Sequence, residues 1–322
     1  MGDKKVTNII EFKNVGKKYD QKMVIENLDL AIKTGEIFVL VGPSGSGKTS
    51  TLKMINGLSV PTEGNVYFKG TRIKDYNLQK MRWQMGYVLQ QIALFPTMTV
   101  KQNIEVIPEM LGWKKNKREE AVDRLLTIVG LDPEQYRDRM PKELSGGEQQ
   151  RIGILRAIAA SPEVILMDEP FSALDPLSRT SLQDLVLELH QQLGTTIVFV
   201  THNMEEAIKL GSRIGVMKDG KLLQADTPEK VLTAPKSEFI KRFFEETSKK
   251  EPLIEEMILN GFYTKDTDET SRPEITIGAV LSDLYSLLAE APEVKVLKNQ
   301  EVIGKISRQD VFAFFSNKEE KE

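Results

Sequence analysis

The amino-acid sequence predicts an α/β fold in which buried parallel strands alternate with helices. Three apolar runs indicate strands buried on both faces, and each ends in polar residues: "IFVLV" before a glycine-rich loop, "VILM" before two carboxylates, and "IVFVT" before His202. In open α/β sheets, ligands bind at the carboxyl ends of the strands. The sequence therefore predicts that its chemistry lies along one edge of a sheet.

The glycine-rich loop "GPSGSGKT", Gly42 to Thr49, connects the first strand to a predicted helix, "KTSTLKMIN". Its glycines permit backbone conformations that turn N–H groups around an anion, and the N-terminus of the following helix attracts the same charge. The stretch fits G-x-x-x-x-G-K-[ST], in which Lys48 reaches the β- and γ-phosphates and the Thr49 hydroxyl binds Mg²⁺. This loop predicts a site for a nucleoside triphosphate; the alternative is a flexible Gly/Ser turn.

Composition limits the other classes of function. The chain has 322 residues, 40% hydrophobic and 28% charged, which suffices for one large domain and a small one. A formal net charge of −3 argues against a nucleic-acid partner, and the lack of cysteine excludes disulfides and Cys-ligated metal centres. No apolar run has the length of a signal-peptide core or a membrane span, so we expect neither export nor a transmembrane helix.

Two adjacent carboxylates end the strand in "EVILMDEP", Glu163 to Pro170. Because neighbouring strand residues point to opposite faces, Asp168 can approach a metal ion while Glu169 approaches an attacking water. The alternative is a solvated acidic strand end, which the phosphate-binding loop earlier in the chain makes less attractive.

Further polar residues lie at the ends of apolar segments or at the starts of helical segments. "ELSGGEQQR" puts Ser145 and two glycines before a helical pattern, which is a second helix N-terminus with backbone donors. His202 follows a buried strand near the predicted phosphates, whereas His190 lies in an amphipathic helical pattern and is better explained as a surface or half-buried helical residue. Gln90 and Gln91 end the apolar run in "YVLQQ".

The motifs and their order along the chain resemble those of the nucleotide-binding subunit of an ATP-binding cassette (ABC) transporter. The motifs are the phosphate-binding loop, the glutamine after "YVL", "LSGGEQQR", "ILMDEP", "SALD" and "TH", and the resemblance covers roughly residues 7–245. It implies a cassette that uses ATP and Mg²⁺, with a mixed core sheet, an antiparallel β subdomain and a helical subdomain at about residues 91–150.

The resemblance also implies roles for individual residues. Tyr19 would stack on the adenine, Glu169 would be the general base, and His202 would contact the γ-phosphate; for Tyr19 the alternative is an exposed strand-end tyrosine. The implied catalytic residues are Gln90, Glu169 and His202, and the implied metal ligands are Thr49, Gln90 and Asp168. The implied nucleotide-binding residues are Tyr19, Gly42, Pro43, Ser44, Gly45, Ser46, Gly47, Lys48, Thr49, Ser50, Ser145, Gly146, Gly147 and Asp175.

In this family two cassettes pair head to tail, so that the "SGG" of one chain closes over ATP held by Lys48 of the other, with Asp175 across the interface. A chain with one phosphate-binding loop needs such a partner, and a two-fold homodimer is the economical solution. The helical subdomain docks a cytoplasmic helix of a membrane permease, and a substrate-binding protein is an indirect partner. The resemblance therefore implies a peripheral protein on the cytoplasmic face of the membrane.

Within the family, "MRWQMGYVLQQIALFPTMTVKQNIEVIPEMLGW" resembles importers of glycine betaine, carnitine, choline and related quaternary amines. The alternative is a soluble cassette ATPase that is not coupled to transport. Translation-type relatives carry two cassettes per chain and repair-type relatives carry long coiled coils, and this sequence has neither. We therefore expect the ATP-hydrolysing motor of an importer, which drives a permease by ATP-dependent dimerisation.

A change of composition after "KRFFEETSKK" predicts a boundary: an ATPase domain at residues 1–245, a charged linker at 246–263 and a small α+β domain at 264–322. In this small domain, "TIGAVLSDLYSLLAEA" predicts a helix, two short strands flank "KNQ", and "SRQD" predicts a helix start. This order resembles one cystathionine-β-synthase-type (CBS) repeat. Such repeats occur in pairs, so we expect two chains to complete a regulatory or dimerisation module; the alternative is a remnant that packs on its own cassette.

Overall fold

The computed structural model describes residues 7–20, 22–90, 93–172, 174–248, 254–265, 272–298 and 301–319. The chain forms two compact units, which divide between Arg242 and Phe243. Gln91, the centre of the predicted "KNQ" turn and part of the predicted linker lie outside the described residues.

The strands of the first unit form two sheets. In chain order they are β1 (Asn8–Tyr19), β2 (Lys22–Lys33), β3 (Ile37–Val41), β4 (Glu63–Phe68), β5 (Thr71–Arg72), β6 (Met85–Val88), β7 (Val164–Asp168), β8 (Thr196–Thr201), β9 (Arg213–Lys218) and β10 (Lys221–Asp226). One sheet is antiparallel with the order β2-β1-β4-β5, and the other is mixed with the order β10-β9-β3-β8-β7-β6. Every residue of β3, β7 and β8 is buried, as their apolar sequences predict.

Helices alternate with these strands along the chain, and the last helix begins in the first unit and ends in the second. In chain order they are α1 (Lys48–Ile55), α2 (Leu78–Arg82), α3 (Val100–Met110), α4 (Lys115–Ile128), α5 (Pro133–Tyr136), α6 (Gly146–Ile158), α7 (Pro176–Leu193), α8 (Met204–Leu210), α9 (Pro228–Thr233) and α10 (Glu238–Ser248). Between β6 and β7 the described residues form helices and no strand. No helix in the described part of the chain combines the length and the apolar character that crossing a bilayer requires.

One hydrophobic core joins the two sheets of the first unit. Phe12 and Phe68 of the antiparallel sheet belong to the same buried cluster as Phe38, Leu166 and Val200 of the mixed sheet. Full burial of each such side chain contributes about 1.5–3 kcal/mol. Because β3, β7 and β8 are parallel neighbours in this core, their carboxyl ends are held side by side at one edge.

The second unit is a small α+β layer. Its elements are α11 (Ile254–Leu259), β11 (Glu274–Thr276), α12 (Leu281–Glu290), β12 (Glu293–Lys298), β13 (Glu301–Ser307) and α13 (Arg308–Glu319). β12 pairs in parallel with β11 and antiparallel with β13. The predicted helix, strand pair and helix start are confirmed: Asp310 Oδ2 accepts the Ser307 N–H at 2.8 Å, and Ser307 Oγ accepts the Asp310 N–H at 3.3 Å.

The structure differs from the predicted linker at residues 246–263. Part of that segment is α11, whose Ile254 and Met257 are fully buried in one core with Leu284 and Val296. The apolar residues of α11 recur at helical spacing among acidic ones, so a segment that reads as charged still has one apolar face. This helix therefore belongs to the second unit.

Candidate functional site

The glycine-rich loop follows β3 at the edge of the mixed sheet. Gly42 has a φ of +155°, and a Cβ atom there would lie 2.1 Å from the Met217 carbonyl oxygen; Gly47 has a φ of +101°, and its Cβ would lie 3.0 Å from the Val24 carbonyl oxygen. Only glycine suits these two positions. Helix α1 then begins without a side-chain cap, so the backbone N–H groups of its first turn can bind an anion.

Lys48 lies within this loop and is only 5% exposed. Its Nζ donates a hydrogen bond to the Gly42 carbonyl oxygen at 2.7 Å. Burial lowers the pKa of Lys48, although the nearby carboxylates of Glu169 and Asp168 favour its charged form. The Ser46 hydroxyl is buried and, among the described residues, has no hydrogen-bond partner. A cation and an unpaired hydroxyl in one loop fit a phosphate group, which accepts hydrogen bonds from both.

Thr49 and Asp168 meet at the end of β7. The Thr49 hydroxyl donates to Asp168 Oδ1 at 2.9 Å. Burial raises the pKa of Asp168, while the Thr49 hydrogen bond and the charge of Lys53 favour the carboxylate. Hard oxygen donors of this kind fit Mg²⁺, which proteins hold through one or two carboxylates together with substrate phosphates. The described residues contain no cluster of three or more acidic or histidine side chains that could hold a metal ion.

Glu169 turns away from Asp168 and contacts His202 at the end of β8. Its backbone has a φ of +45°, which is uncommon outside glycine, and its N–H donates to the Val200 carbonyl oxygen at 2.9 Å. Glu169 Oε2 lies 3.0 Å from His202 Nδ1. The two adjacent carboxylates therefore serve different partners, one facing the loop hydroxyl and one facing the histidine.

Gln90 and Tyr19 lie at the borders of this site. Gln90 is exposed just after β6, the neighbour of β7 in the sheet. Tyr19 ends β1 and is 44% exposed. Its hydroxyl lies 3.0 Å from Ser59 Oγ in the loop after α1, and Lys17 Nζ lies 4.6 Å from the ring centroid. An aromatic face held in this way can stack on a base.

The residues predicted to act on a partner chain lie at two adjacent helix starts. Ser145 caps α6: its Oγ accepts the Glu148 N–H at 3.3 Å, and Glu148 Oε2 accepts the Ser145 N–H at 2.7 Å. Asp175 caps α7 by accepting the Ser178 N–H at 3.0 Å. A Cβ atom on Gly147 would lie 3.3 Å from Ser178 Oγ, so the two helix starts are in contact. Ser145 makes these two bonds within its own cap.

Sequence reasoning missed three polar residues beside the site. Tyr87 on β6 lies near Asp168, and its pKa is raised by burial first and then by the Asp168 charge. Thr201 and Glu206 flank the predicted histidine and are both buried. For Tyr87 and Thr201 the available signal was a polar residue inside or at the end of an apolar run, whereas Glu206 lies in a polar stretch that gives no such signal. His190 lies elsewhere, half-buried on α7 as predicted, with Nε2 3.0 Å from the Gly35 carbonyl oxygen.

Comparisons with known proteins identify the family of this chain. A family model described as ABC transporter matches residues 25–172. The glycine betaine/carnitine/choline transport ATP-binding protein of Bacillus subtilis (strain 168) is 40% identical over 94% of this chain and 84% of its own length. The choline transport ATP-binding protein of the same organism is 44% identical over 88% of this chain and 73% of its own length.

Among solved structures, a dimeric post-hydrolysis state of the ATP-binding cassette MJ0796, bound to ADP and Pi, is similar to this chain. The TM-score is 0.61 at 35% identity, and the alignment covers 68% of this chain and 98% of that one. These relatives and this solved structure agree with the fold. The chain belongs to the ABC transporter family, as one of its ATP-binding subunits.

Proposed function

We propose that the chain is the ATP-hydrolysing motor of an importer of quaternary amines, such as glycine betaine, carnitine or choline. One observation carries the motor function: a phosphate-binding lysine, a Thr49–Asp168 pair and a Glu169–His202 pair converge at one sheet edge. The substrate class is supported by the transport functions for which similar proteins are named.

In the proposed reaction each residue has a separate task. Lys48 and the N–H groups of the loop bind the β- and γ-phosphates, and Glu169 accepts the proton of the attacking water. His202 orients the Glu169 carboxylate through the 3.0 Å contact. Thr49 and Asp168 would hold Mg²⁺, with Gln90 as a further ligand. When bound, Mg²⁺ neutralises charge that develops on the phosphate oxygens.

The working form in this proposal is a head-to-tail homodimer. The exposed Ser145 and its two glycines would close over ATP held by Lys48 of the partner, and Asp175 would lie across the interface. Ser145 suits this task because its own hydrogen bonds lie within its helix cap, so the N-terminus of α6 can accept a phosphate from outside the chain.

This arrangement predicts dimerisation that depends on ATP. In a chain that ends at Ser248 and so cannot pair through residues 249–322, Glu169→Gln with saturating Mg-ATP should give a particle of twice the monomer mass in light scattering, because uncleaved ATP keeps bridging the two chains. Adding Ser145→Arg to that variant should abolish the dimer, since a long cation fills the exposed cap, while ATP binding persists. A mass that stays monomeric for Glu169→Gln, or a dimer that tolerates Ser145→Arg, would contradict the head-to-tail arrangement.

The proposed partners are a membrane permease that docks on the helical subdomain and, indirectly, a substrate-binding protein. The protein would then lie peripherally on the cytoplasmic face of the membrane. Co-purification from detergent-solubilised membranes tests this proposal against a soluble ATPase that is not coupled to transport. Recovery of the tagged chain with an integral membrane protein supports the importer; recovery of the chain alone, entirely outside the membrane fraction, contradicts it.

We propose that the second unit is a single CBS-like repeat that pairs with its copy from another chain and regulates closure of the cassettes. Its helix–strand–strand–helix order supports this proposal, as does Phe312, which is 49% exposed on α13.

A chain ending at Ser248 should keep its intrinsic ATPase, because every residue of the proposed site precedes that point. It should lose the response of transport to ionic strength. Uptake assays at low and high salt, with ATPase rates as the control, measure both effects. Unchanged salt response after truncation would contradict a regulatory second unit.

A further inference from the structure

The segment around His202 is held in place by hydrogen bonds of the Thr201 hydroxyl. This residue ends β8 and is 2% exposed. Its hydroxyl donates to Glu206 Oε2 at 2.6 Å and accepts the Asn203 N–H at 3.0 Å. One hydroxyl therefore connects residues on both sides of His202, and it uses both its donor and its acceptor capacity to do so.

The other end of this segment is fixed by the helix start. Asn203 Oδ1 accepts the N–H groups of Glu205 and Glu206 at 2.8 and 3.2 Å, which caps α8. Glu206 is thus bound to Asn203 through its backbone and to Thr201 through its side chain. His202 lies between these fixed points, and its side chain is 57% exposed. The histidine receives its backbone position from Thr201 and Asn203 rather than from burial of its own ring.

Glu206 is a costly residue to bury. It is 5% exposed, and burial raises its pKa, while the Thr201 hydrogen bond and the positive charge of Arg179 favour the carboxylate. Arg179 lies on α7 and, together with Glu206, Thr201, His202 and Glu169, lines a polar cavity of about 50 Å³. A leucine would fill this position without the desolvation cost of a carboxylate. The buried carboxylate is stabilised by the hydrogen bond that it accepts from Thr201 and by the charge of Arg179.

We propose that Thr201 and Glu206 are positioning residues of the ATPase: their hydrogen bond sets the backbone of His202, and thereby the contact of its imidazole with Glu169. This inference rests on the proposed function, in which Glu169 is the base and His202 orients it. Neither Thr201 nor Glu206 needs to touch ATP in this role, so both should act on the chemical step rather than on binding.

The test uses the full chain and a pair of nearly isosteric variants. Thr201→Val removes the hydroxyl and should lower kcat about tenfold, a loss of about 1.4 kcal/mol of transition-state stabilisation, with KM for ATP within about twofold of the parent. Thr201→Ser keeps the hydroxyl and should retain the parent kcat within about twofold. Since a general loss of packing would also affect Thr201→Ser, this pair separates the hydroxyl from the methyl group.

A double-mutant cycle with His202→Ala shows whether Thr201 acts through the histidine. In that background, measured at high enzyme concentration, Thr201→Val should have no further effect on kcat. An equal loss in both backgrounds would overturn the proposal, as would a parent-like kcat for Thr201→Val. Should Thr201→Val fail to fold, Glu206→Leu and Glu206→Gln provide the same comparison: the leucine should lower kcat, and the glutamine, which still accepts the Thr201 hydrogen, should not.

The two possible failures are distinguishable. If Glu169→Gln and His202→Ala hydrolyse ATP at the parent rate, the proposed catalytic roles are wrong and the positioning role falls with them. If both variants are impaired while Thr201→Val and Glu206→Leu are not, only the positioning role is overturned.

Discussion

Glu169→Gln is expected to slow ATP hydrolysis by roughly 10²–10⁴-fold, the usual effect of losing a general base. Glutamine has almost the same shape and keeps an oxygen near His202, so the fold and the loop that binds phosphate should be unaffected. ATP affinity measured by calorimetry should therefore match that of the parent, whereas steady-state phosphate release should fall. The variant thus separates the binding of ATP from its hydrolysis.

Glu163→Gln is the matched control for this variant. Glu163 directly precedes β7, and Glu169 directly follows it at the other end. Glu163 is exposed and forms an ion pair with Lys69 at 2.7 Å. Exposed pairs of this kind contribute little to stability, so this change should leave hydrolysis at the parent rate. Parent-like hydrolysis by Glu169→Gln itself would mean that another group is the base.

Lys48→Ala should remove tight ATP binding. The ammonium group is the buried cation of the loop, and a charge-assisted hydrogen bond contributes about 1.5–3 kcal/mol, with each 1.4 kcal/mol being tenfold in affinity. We expect Kd for ATP to rise about 10- to 150-fold, because the contact with the phosphates loses both its charge and its donor. Calorimetric titration of the full chain with Mg-ATP measures this change.

Lys33→Ala, at the exposed end of β2, is the control for the loss of one lysine charge. It should bind ATP as the parent does. Circular dichroism should verify that Lys48→Ala remains folded, since Lys48 also donates to the Gly42 carbonyl oxygen. If folded Lys48→Ala and the parent bound ATP with equal affinity, the glycine-rich loop would not be part of the nucleotide site.

Local patterns allowed much of the first unit to be predicted. The loop from Gly42 to Thr49 is specified by residues adjacent in sequence, and the uninterrupted apolar runs of β3, β7 and β8 indicate strands buried on both faces. Such features need no knowledge of which strands are neighbours.

The remaining features depend on contacts between distant segments. That Glu169 meets His202 requires β7 and β8 to be adjacent, which sequence spacing does not encode. The bond between Thr201 and Glu206 was missed because a threonine at the end of an apolar run reads as an ordinary strand residue. Helix α11 was missed for the opposite reason: its acidic residues hide a buried face, formed by Ile254 and Met257, that only tertiary packing reveals.

Uptake of radiolabelled quaternary amines by cells lacking this chain tests most directly whether ATP hydrolysis at Glu169 drives import. Glycine betaine, carnitine and choline are supplied separately, and the full chain, Glu169→Gln and Glu163→Gln are each restored at equal abundance. The account predicts that uptake of at least one amine is lost without the chain, returns with the full chain and with Glu163→Gln, and stays absent with Glu169→Gln. Uptake of all three amines that is unchanged by the deletion, or that Glu169→Gln restores fully, would contradict it.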